Sequence, residues 1–247
     1  MPVLAPLTTL ASLTATWLAW DYAQSRAEAK HAMATLSQFV AEPVLRLLMR
    51  TDLRASLLPQ RREITVMVAD MASYTQLTAA ASLEDTARLT QEFLEAITHP
   101  VLQAGGTLDR YTGDGLIAFW GAPLPLPDHP QRCIAAALQV LDSLQALNQR
   151  RHARGEVELR MRIGIESGEV LVGDLGSSIR STYTAVGDCI NLASRLQEVG
   201  REIGEPLVIG PRTHAASRMA LRPLGQTQIR GLDAPISVYG LPTVHDA

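Results

Sequence analysis

The chain opens with an uncharged apolar run, residues 3–20 ("VLAPLTTLASLTATWLAW"), and changes at Asp21 to charged and apolar residues at helical spacing. As a helix the run would measure about 27 Å, just short of a typical hydrocarbon core. Trp17 and Trp20 suit a membrane interface, and Arg26 and Lys30 follow on the side expected to face the cytoplasm. A signal peptide is disfavoured because positive charge follows the apolar run instead of preceding it. The reading is therefore a transmembrane or membrane-docking segment over residues 1–20. Residues 21–61 predict a helical stalk interrupted at Pro43, suited to transmitting a signal, to dimerising or simply to packing.

From Ile64 onward, strand-like and helix-like patterns alternate. "ITVMVAD" reads as a buried strand from its β-branched content, and "SLEDTARLTQEFLEAITHPVLQAG" as an amphipathic helix capped at Ser82 and stopped by glycine. A hairpin follows around Asp114. After the turn-rich "GAPLPLPDHP" the pattern predicts a helix to about Arg151, then a second hairpin in "LRMRIGIESGEVLVGDL" turning at Ser167-Gly168. A helix from about Asp188, a short strand "PLVIG" and two closing strands, "LRPLGQTQIRG" and "ISVYGL", complete the domain. Helices interleaved with hairpins predict an α/β sandwich with a mixed or antiparallel sheet. The main domain spans 62–241, with 242–247 as a tail.

Composition narrows the chemistry. The 247 residues are 47% hydrophobic and 19% charged, enough for a substantial core. A net charge of −3 and a pI near 6.1 supply no cationic field for nucleic acid. Cys133 and Cys189 lie far apart, without the spacing of a disulfide scaffold or a zinc site, and suit a reducing compartment. The histidines form no metal-binding cluster.

Two carboxylates stand out. In "DRYTGDGLIAFWG", Asp114 occupies a Gly-Asp-Gly turn between strand-like runs, which is a strong hairpin signal. Asp70 ends the first core strand, and pairing of the hairpin beside that strand would bring the two together. A close carboxylate pair beside a phosphate is a natural site for two magnesium ions, which take oxygen ligands and stabilise an in-line displacement. Alone, either aspartate is equally well a turn or strand-end cap. In "VGDCINLASRLQ", Asn191 and Arg195 share one helix face, with Ile190, Leu192 and Leu196 turned toward the core. An amide and a guanidinium so placed can bind ribose and a phosphate oxygen, or form a solvated polar stripe.

Together these stretches resemble the catalytic domain of class III nucleotidyl cyclases, the adenylate and guanylate cyclase family, over about residues 62–241. "VADMASYT" is similar to the segment with the first metal aspartate and a phosphate-cradling loop, and "YTGDGLIAFWGAP" to the hairpin with the second. "RMRIGIESGEVLVGDLGS" resembles the dimer-forming hairpin, "YTAVGDCINLASRL" the transition-state helix, and "IRGLDAPISVYGL" the final hairpin. The resemblance implies a ferredoxin-like βαββαβ core with additional C-terminal strands. It implies that Asp70, Asp114 and the Met71 carbonyl hold two Mg²⁺ or Mn²⁺ ions, and that the amides of Ser73, Tyr74 and Thr75 hold the β- and γ-phosphates. Asn191 would orient the ribose, Arg195 stabilise the α-phosphate in the transition state, and Arg230 bind the triphosphate. Each site would be shared across a homodimer, with a nucleoside triphosphate as substrate and a 3′,5′-cyclic nucleotide as product.

Substrate choice turns on Arg110 and Thr184, at the two base-reading positions. Threonine fits the bacterial adenylate subtype, whereas arginine replaces its usual lysine and offers no acceptor for guanine's amino group. ATP is the expected substrate. A pyrimidine triphosphate is the alternative, since Arg110 suits a pyrimidine carbonyl, and a weakly active regulatory module is a third reading. Ser73 and Tyr74 replace the family's usual Gly-Phe, a change expected to narrow the pocket.

Overall fold

The computed structural model describes residues 16–24, 58–79, 81–176 and 182–242. The chain divides into two units, residues 1–41 and 42–247. In the first, residues 16–24 are helical, with Trp17, Leu18 and Trp20 exposed. Residues 3–15 of the apolar run and residues 25–57 of the expected stalk lie outside the described residues. Among the described residues, no helix is long and apolar enough to cross a membrane.

In the second unit, strand β1 (Gln60–Met71) is buried on both faces, as its continuous apolar run requires. Met67, Ala69 and Met71 enter one core, while Ile64, Val66 and Val68 enter another. A short helix α1 (Tyr74–Thr78) leads to α2 (Leu83–Gln103). At the start of α2 the Ser82 hydroxyl accepts from the Asp85 amide at 3.0 Å, and Glu84 and Asp85 complement the helix dipole. Strands β2 (Thr107–Tyr111) and β3 (Gly115–Trp120) form the first hairpin, and α3 (His129–Ala153) follows. Helices α2 and α3 cover the Met67 face of the sheet with Phe93, Ile97, Val101, Ile134, Val140 and Leu144.

Strand β4 (Met161–Asp174) comes next, then β5 (Tyr183–Val186), α4 (Asp188–Ile203), β6 (Leu207–Ile209), α5 (Pro211–Ala216) and the closing hairpin of β7 (Arg222–Thr227) and β8 (Ile236–Gly240). The sheet order is β2–β3–β1–β4–β6–β8–β7, with β5 paired to β4. Within the order β2–β3–β1–β4 each strand is antiparallel to its neighbours, and α2 and α3 connect them in the ferredoxin-like arrangement. The mixed sheet follows the expectation, since β4 and β6 alone are parallel.

The second predicted hairpin does not turn at Ser167-Gly168. β4 runs through these residues and pairs with β1 from Met161 to Val172, with Thr65 opposite Ser167 and Ile64 opposite Gly168. Gly168 has no positive φ. Its purpose is close approach, because a β-carbon there would lie 3.0 Å from the Cys189 Cβ. At Gly164 a β-carbon would overlap the backbone of Ala193 and Gln197. These two glycines let α4 lie directly on the strand, burying Cys189, Ala193 and Leu196.

A buried polar seam crosses this region. Thr65 Oγ1 lies 2.7 Å from His129 Nδ1 and 2.8 Å from Ser167 Oγ, which lies 2.9 Å from Thr213 Oγ1. Glu166 is buried beside the seam, its Oε1 accepting from the amides of Ser167 and Thr213 while Oε2 has no hydrogen-bond partner among the described residues. Burial pushes its pKa up to about 7 against the pull of those amides and of Arg212.

Candidate active site

The turn between β2 and β3 places Asp114 beside the end of β1. Gly113 supplies the positive φ, 95°, and the Thr112 amide donates to the Gly115 carbonyl at 3.0 Å. Gly115 meets a different need, since a β-carbon there would overlap the Ala69 carbonyl oxygen. Asp70 pairs with Gly115 in register, and the Met71 amide donates to the Asp114 carbonyl at 2.9 Å. The two carboxyls come within hydrogen-bonding reach, as the sequence led us to expect. Burial, then the charge and hydrogen bond of Asp114, push the Asp70 pKa up to about 6, with Arg162 opposing. Arg162 stands opposite Asp70 in the β1–β4 register. Its place depends on the β1–β4 register, which follows from β4 running straight through Ser167-Gly168.

Beyond Asp70 the chain turns through Ser73, whose φ of 61° is left-handed and unusual for a residue with a β-carbon. The Ser73 carbonyl accepts from the amides of Gln76 and Leu77 as α1 begins. The amides of Ser73, Tyr74 and Thr75 stand at that helix start, where the first N–H groups lack partners within the helix. Tyr74 packs against the main core and its hydroxyl lies 3.0 Å from Thr90 Oγ1. Its ring is thus partly buried beside α2.

On α4, Asn191 is exposed and Arg195 half-buried, with Cys189, Ala193 and Leu196 turned inward. Arg195 Nη1 donates to the Arg230 carbonyl in the β7–β8 loop, which ties the helix to that loop. The Arg230 side chain is exposed. Neither of two surface cavities, about 1150 Å³ between α2 and α3 and about 470 Å³ beside Ser73 and Arg162, is lined by Asp70, Asp114, Asn191 or Arg195.

A third group joins β2 to β5. The β2–β3 register shifts between Leu108 and Arg110, so Asp109 is the extra residue of a bulge. Arg110 Nη1 bonds Asp109 Oδ2 at 2.6 Å; the side chains are 55% and 4% exposed respectively. Thr184 faces the same carboxyl from β5.

The sequence profile described as the adenylate and guanylate cyclase catalytic domain matches residues 58–241. The chain belongs to that family. Among curated proteins it is 28% identical to adenylate cyclase 1 of Rhizobium meliloti over 213 residues, covering 85% of this chain and 32% of the relative. The chain thus spans about a third of the length of the curated relatives it matches. The adenylyl cyclase CyaB from P. aeruginosa superposes with a TM-score of 0.70 at 27% identity, covering 76% of this chain and 97% of that one. The guanylyl cyclase Cya2 gives 0.68 at 26% identity with the same coverage.

Class III cyclases use divalent metal ions, and the donor set here fits them. Two adjacent carboxyls, of which Asp70 is made harder to ionise by burial and by Asp114, gain from a hard cation that takes oxygen ligands. No group of three or more His, Cys, Asp or Glu side chains surrounds them among the described residues. Mg²⁺ is commonly held by one or two carboxylates, with water and substrate phosphate in its remaining positions.

Proposed function

We propose that the chain carries the catalytic domain of an adenylate cyclase that converts ATP to 3′,5′-cyclic AMP and pyrophosphate as a homodimer. The observation that carries this reading is the Asp70–Asp114 pair, two carboxyls in mutual reach at the end of a buried strand in a cyclase fold. Thr184 at a base-reading position and relatives named adenylate cyclase support adenine.

Bound at the carboxyls, divalent ions would lower the pKa of the ribose 3′-hydroxyl and neutralise triphosphate charge. Asp70, Asp114 and the Met71 carbonyl would hold them. The amides of Ser73, Tyr74 and Thr75 receive the β- and γ-phosphates, and Arg230 binds the triphosphate. Asn191 orients the ribose so that the 3′-oxygen faces the α-phosphorus. Arg195 stabilises the charge that grows on the α-phosphate oxygens as the bond to the β-phosphate oxygen breaks. Asn191 and Arg195 come from the protomer opposite the carboxyls, so that a homodimer holds two shared sites. The catalytic domain faces the cytoplasm, with residues 3–20 docking or anchoring the chain at a membrane.

A pyrimidine triphosphate is the second reading, favoured by Arg110, whose donors match a pyrimidine carbonyl. Incubating the full chain with Mn²⁺ and each of the four nucleoside triphosphates separates the two. Cyclic AMP as the fastest product is expected, and a faster cyclic CMP or UMP would move the assignment to pyrimidine. Mixing inactive Asp70→Ala and Asn191→Ala chains should restore activity, because one shared site of the heterodimer then has neither lesion. No recovery despite proven subunit exchange would rule out the shared site.

A further inference from the structure

Asp109 lies outside the residues that the family resemblance assigns, yet its surroundings are unusual. Its side chain is 4% exposed, next to Arg110 and Thr184, the two positions expected to read the base. In a regular strand Asp109 and Arg110 would point to opposite faces. The bulge between Leu108 and Arg110 instead lets Arg110 reach Asp109 Oδ2 at 2.6 Å. The register opposite Ile117 sets Arg110 on the Ile64–Val66–Val68 face, the face that also holds Ala185 of β5.

The other oxygen, Asp109 Oδ1, is buried without a hydrogen-bond partner among the described residues, and so is Thr184 Oγ1. The Thr184 hydroxyl approaches closely enough to hold down the Asp109 pKa, which burial raises, without meeting hydrogen-bond geometry. Two buried polar atoms left unpaired on neighbouring side chains represent a cost that a small closure removes. An ionised carboxyl only accepts, so in that closure Thr184 must be the donor. With its single proton committed to Asp109, the Thr184 hydroxyl presents only lone pairs to a ligand.

We infer that Asp109 is a positioning residue for base recognition: it fixes the Thr184 hydroxyl as an acceptor and holds the Arg110 guanidinium, so that the pocket selects a base with an exocyclic amino group over one with a carbonyl at that position. The inference rests on the cyclase reading above and deepens it. Asp109 is too buried to touch the base and acts through its two neighbours. It favours adenine or cytosine and disfavours guanine, hypoxanthine and uracil, because a carbonyl there would set two acceptors against each other.

The test compares ATP with inosine triphosphate, which differs in the adenine amino group and the adjoining N1 proton, and with purine riboside triphosphate, which has hydrogen in place of the amino group. For the wild-type chain kcat/KM should fall in the order ATP, purine riboside triphosphate, inosine triphosphate. Asp109→Asn, nearly isosteric, can donate to Thr184 and release its proton toward a carbonyl. The ratio of kcat/KM for ATP over inosine triphosphate should then drop at least about tenfold. In a Thr184→Val background the same change should leave the ratio where Thr184→Val alone sets it, a coupling that a merely structural role for Asp109 would not produce. An unchanged ratio in Asp109→Asn, or an equal drop in both backgrounds, overturns the inference while leaving the cyclase reading intact. Should the variants fail to fold, a wild type that takes inosine triphosphate as well as ATP overturns it equally. A wild type inert on every triphosphate overturns both.

Discussion

Arg195 donates from its guanidinium to the backbone carbonyl of Arg230, so the polar tie between α4 and the β7–β8 loop is made to the main chain of that loop, beside the clustering of Ile229 and Leu232 with Leu196 and Val199. Gly231 keeps the neighbouring space open, with φ 84° and room for a β-carbon only 3.2 Å from Arg195 Nη1.

Because the tie uses a carbonyl, Arg230→Ala should leave Arg195 in place. KM for ATP is expected to rise about tenfold with kcat changed less than about threefold, the signature of lost ground-state triphosphate binding. Arg195→Ala removes charge stabilisation made chiefly in the transition state and should lower kcat by about 100-fold or more. Steady-state kinetics on both variants checks the split. An equal kcat loss in Arg230→Ala would mean that its side chain also positions Arg195.

Asp70→Asn separates stability from function. It removes the like-charge conflict with Asp114, so the metal-free melting temperature should stay level or rise. Turnover should fall by at least about 100-fold, since metal-ion stabilisation is worth several kcal/mol. Mn²⁺ should raise the melting temperature of the wild type and not of the variant. A variant still stabilised by Mn²⁺ would place the metal elsewhere.

Ser73→Gly should stabilise the domain. A left-handed conformation costs a residue with a β-carbon about 1–2 kcal/mol, so relief should add about 1 kcal/mol, offset in part by glycine's greater freedom when unfolded. A rise of about 2–4 °C in melting temperature is expected for a domain of this size. A fall would show that the Ser73 side chain makes a contact worth more than the strain.

Glu166 makes stability depend on pH. Its folded pKa, about 7, lies above its ordinary value of 4.5, so the folded state holds a proton that the unfolded state has released. The associated stability is fully present below about pH 4.5 and is lost as pH rises through about 7. Glu166→Gln keeps an oxygen for the Ser167 and Thr213 amides and removes the charge. At pH 8 it should be more stable than wild type by about 1–3 kcal/mol, an advantage that shrinks toward pH 5. Denaturant melts at the two pH values decide, and parallel profiles would assign the pH response to other groups.

Most of the elements were readable from period and punctuation. β1, α2 and α4 announce themselves by β-branched content, a capping serine and a 3.6-residue apolar stripe, and the Asp-Gly turn fixes the first hairpin. β4 was not readable, because glycine in a strand signals a turn or a close neighbour equally, and only the presence of α4 decides between them. β5, just four residues within "STYTAVGD", had no pattern of its own. Among the site residues, Asp70 and Asp114 were legible because a turn rule and a strand end pointed to the same place. Arg162 depended on register. Asp109 depended on a bulge, for which one signal was available: Leu108 and Tyr111 both face the helices of α2 and α3 at an odd spacing, which a regular strand does not permit.

The seating of α4 on Gly164 and Gly168 has an evolutionary consequence. At Gly164 backbone rests on backbone and at Gly168 the strand meets the first side-chain carbon of Cys189, so the height of the helix above the sheet does not depend on which apolar side chains fill the rest of the interior. The surrounding interior is therefore free to drift through volume-conserving exchanges without moving Asn191 or Arg195, whereas a single methyl group at Gly164 would lift both. Sequence change in this domain is expected to be lenient over most of its hydrophobic interior and unforgiving at two residues that carry no side chain at all.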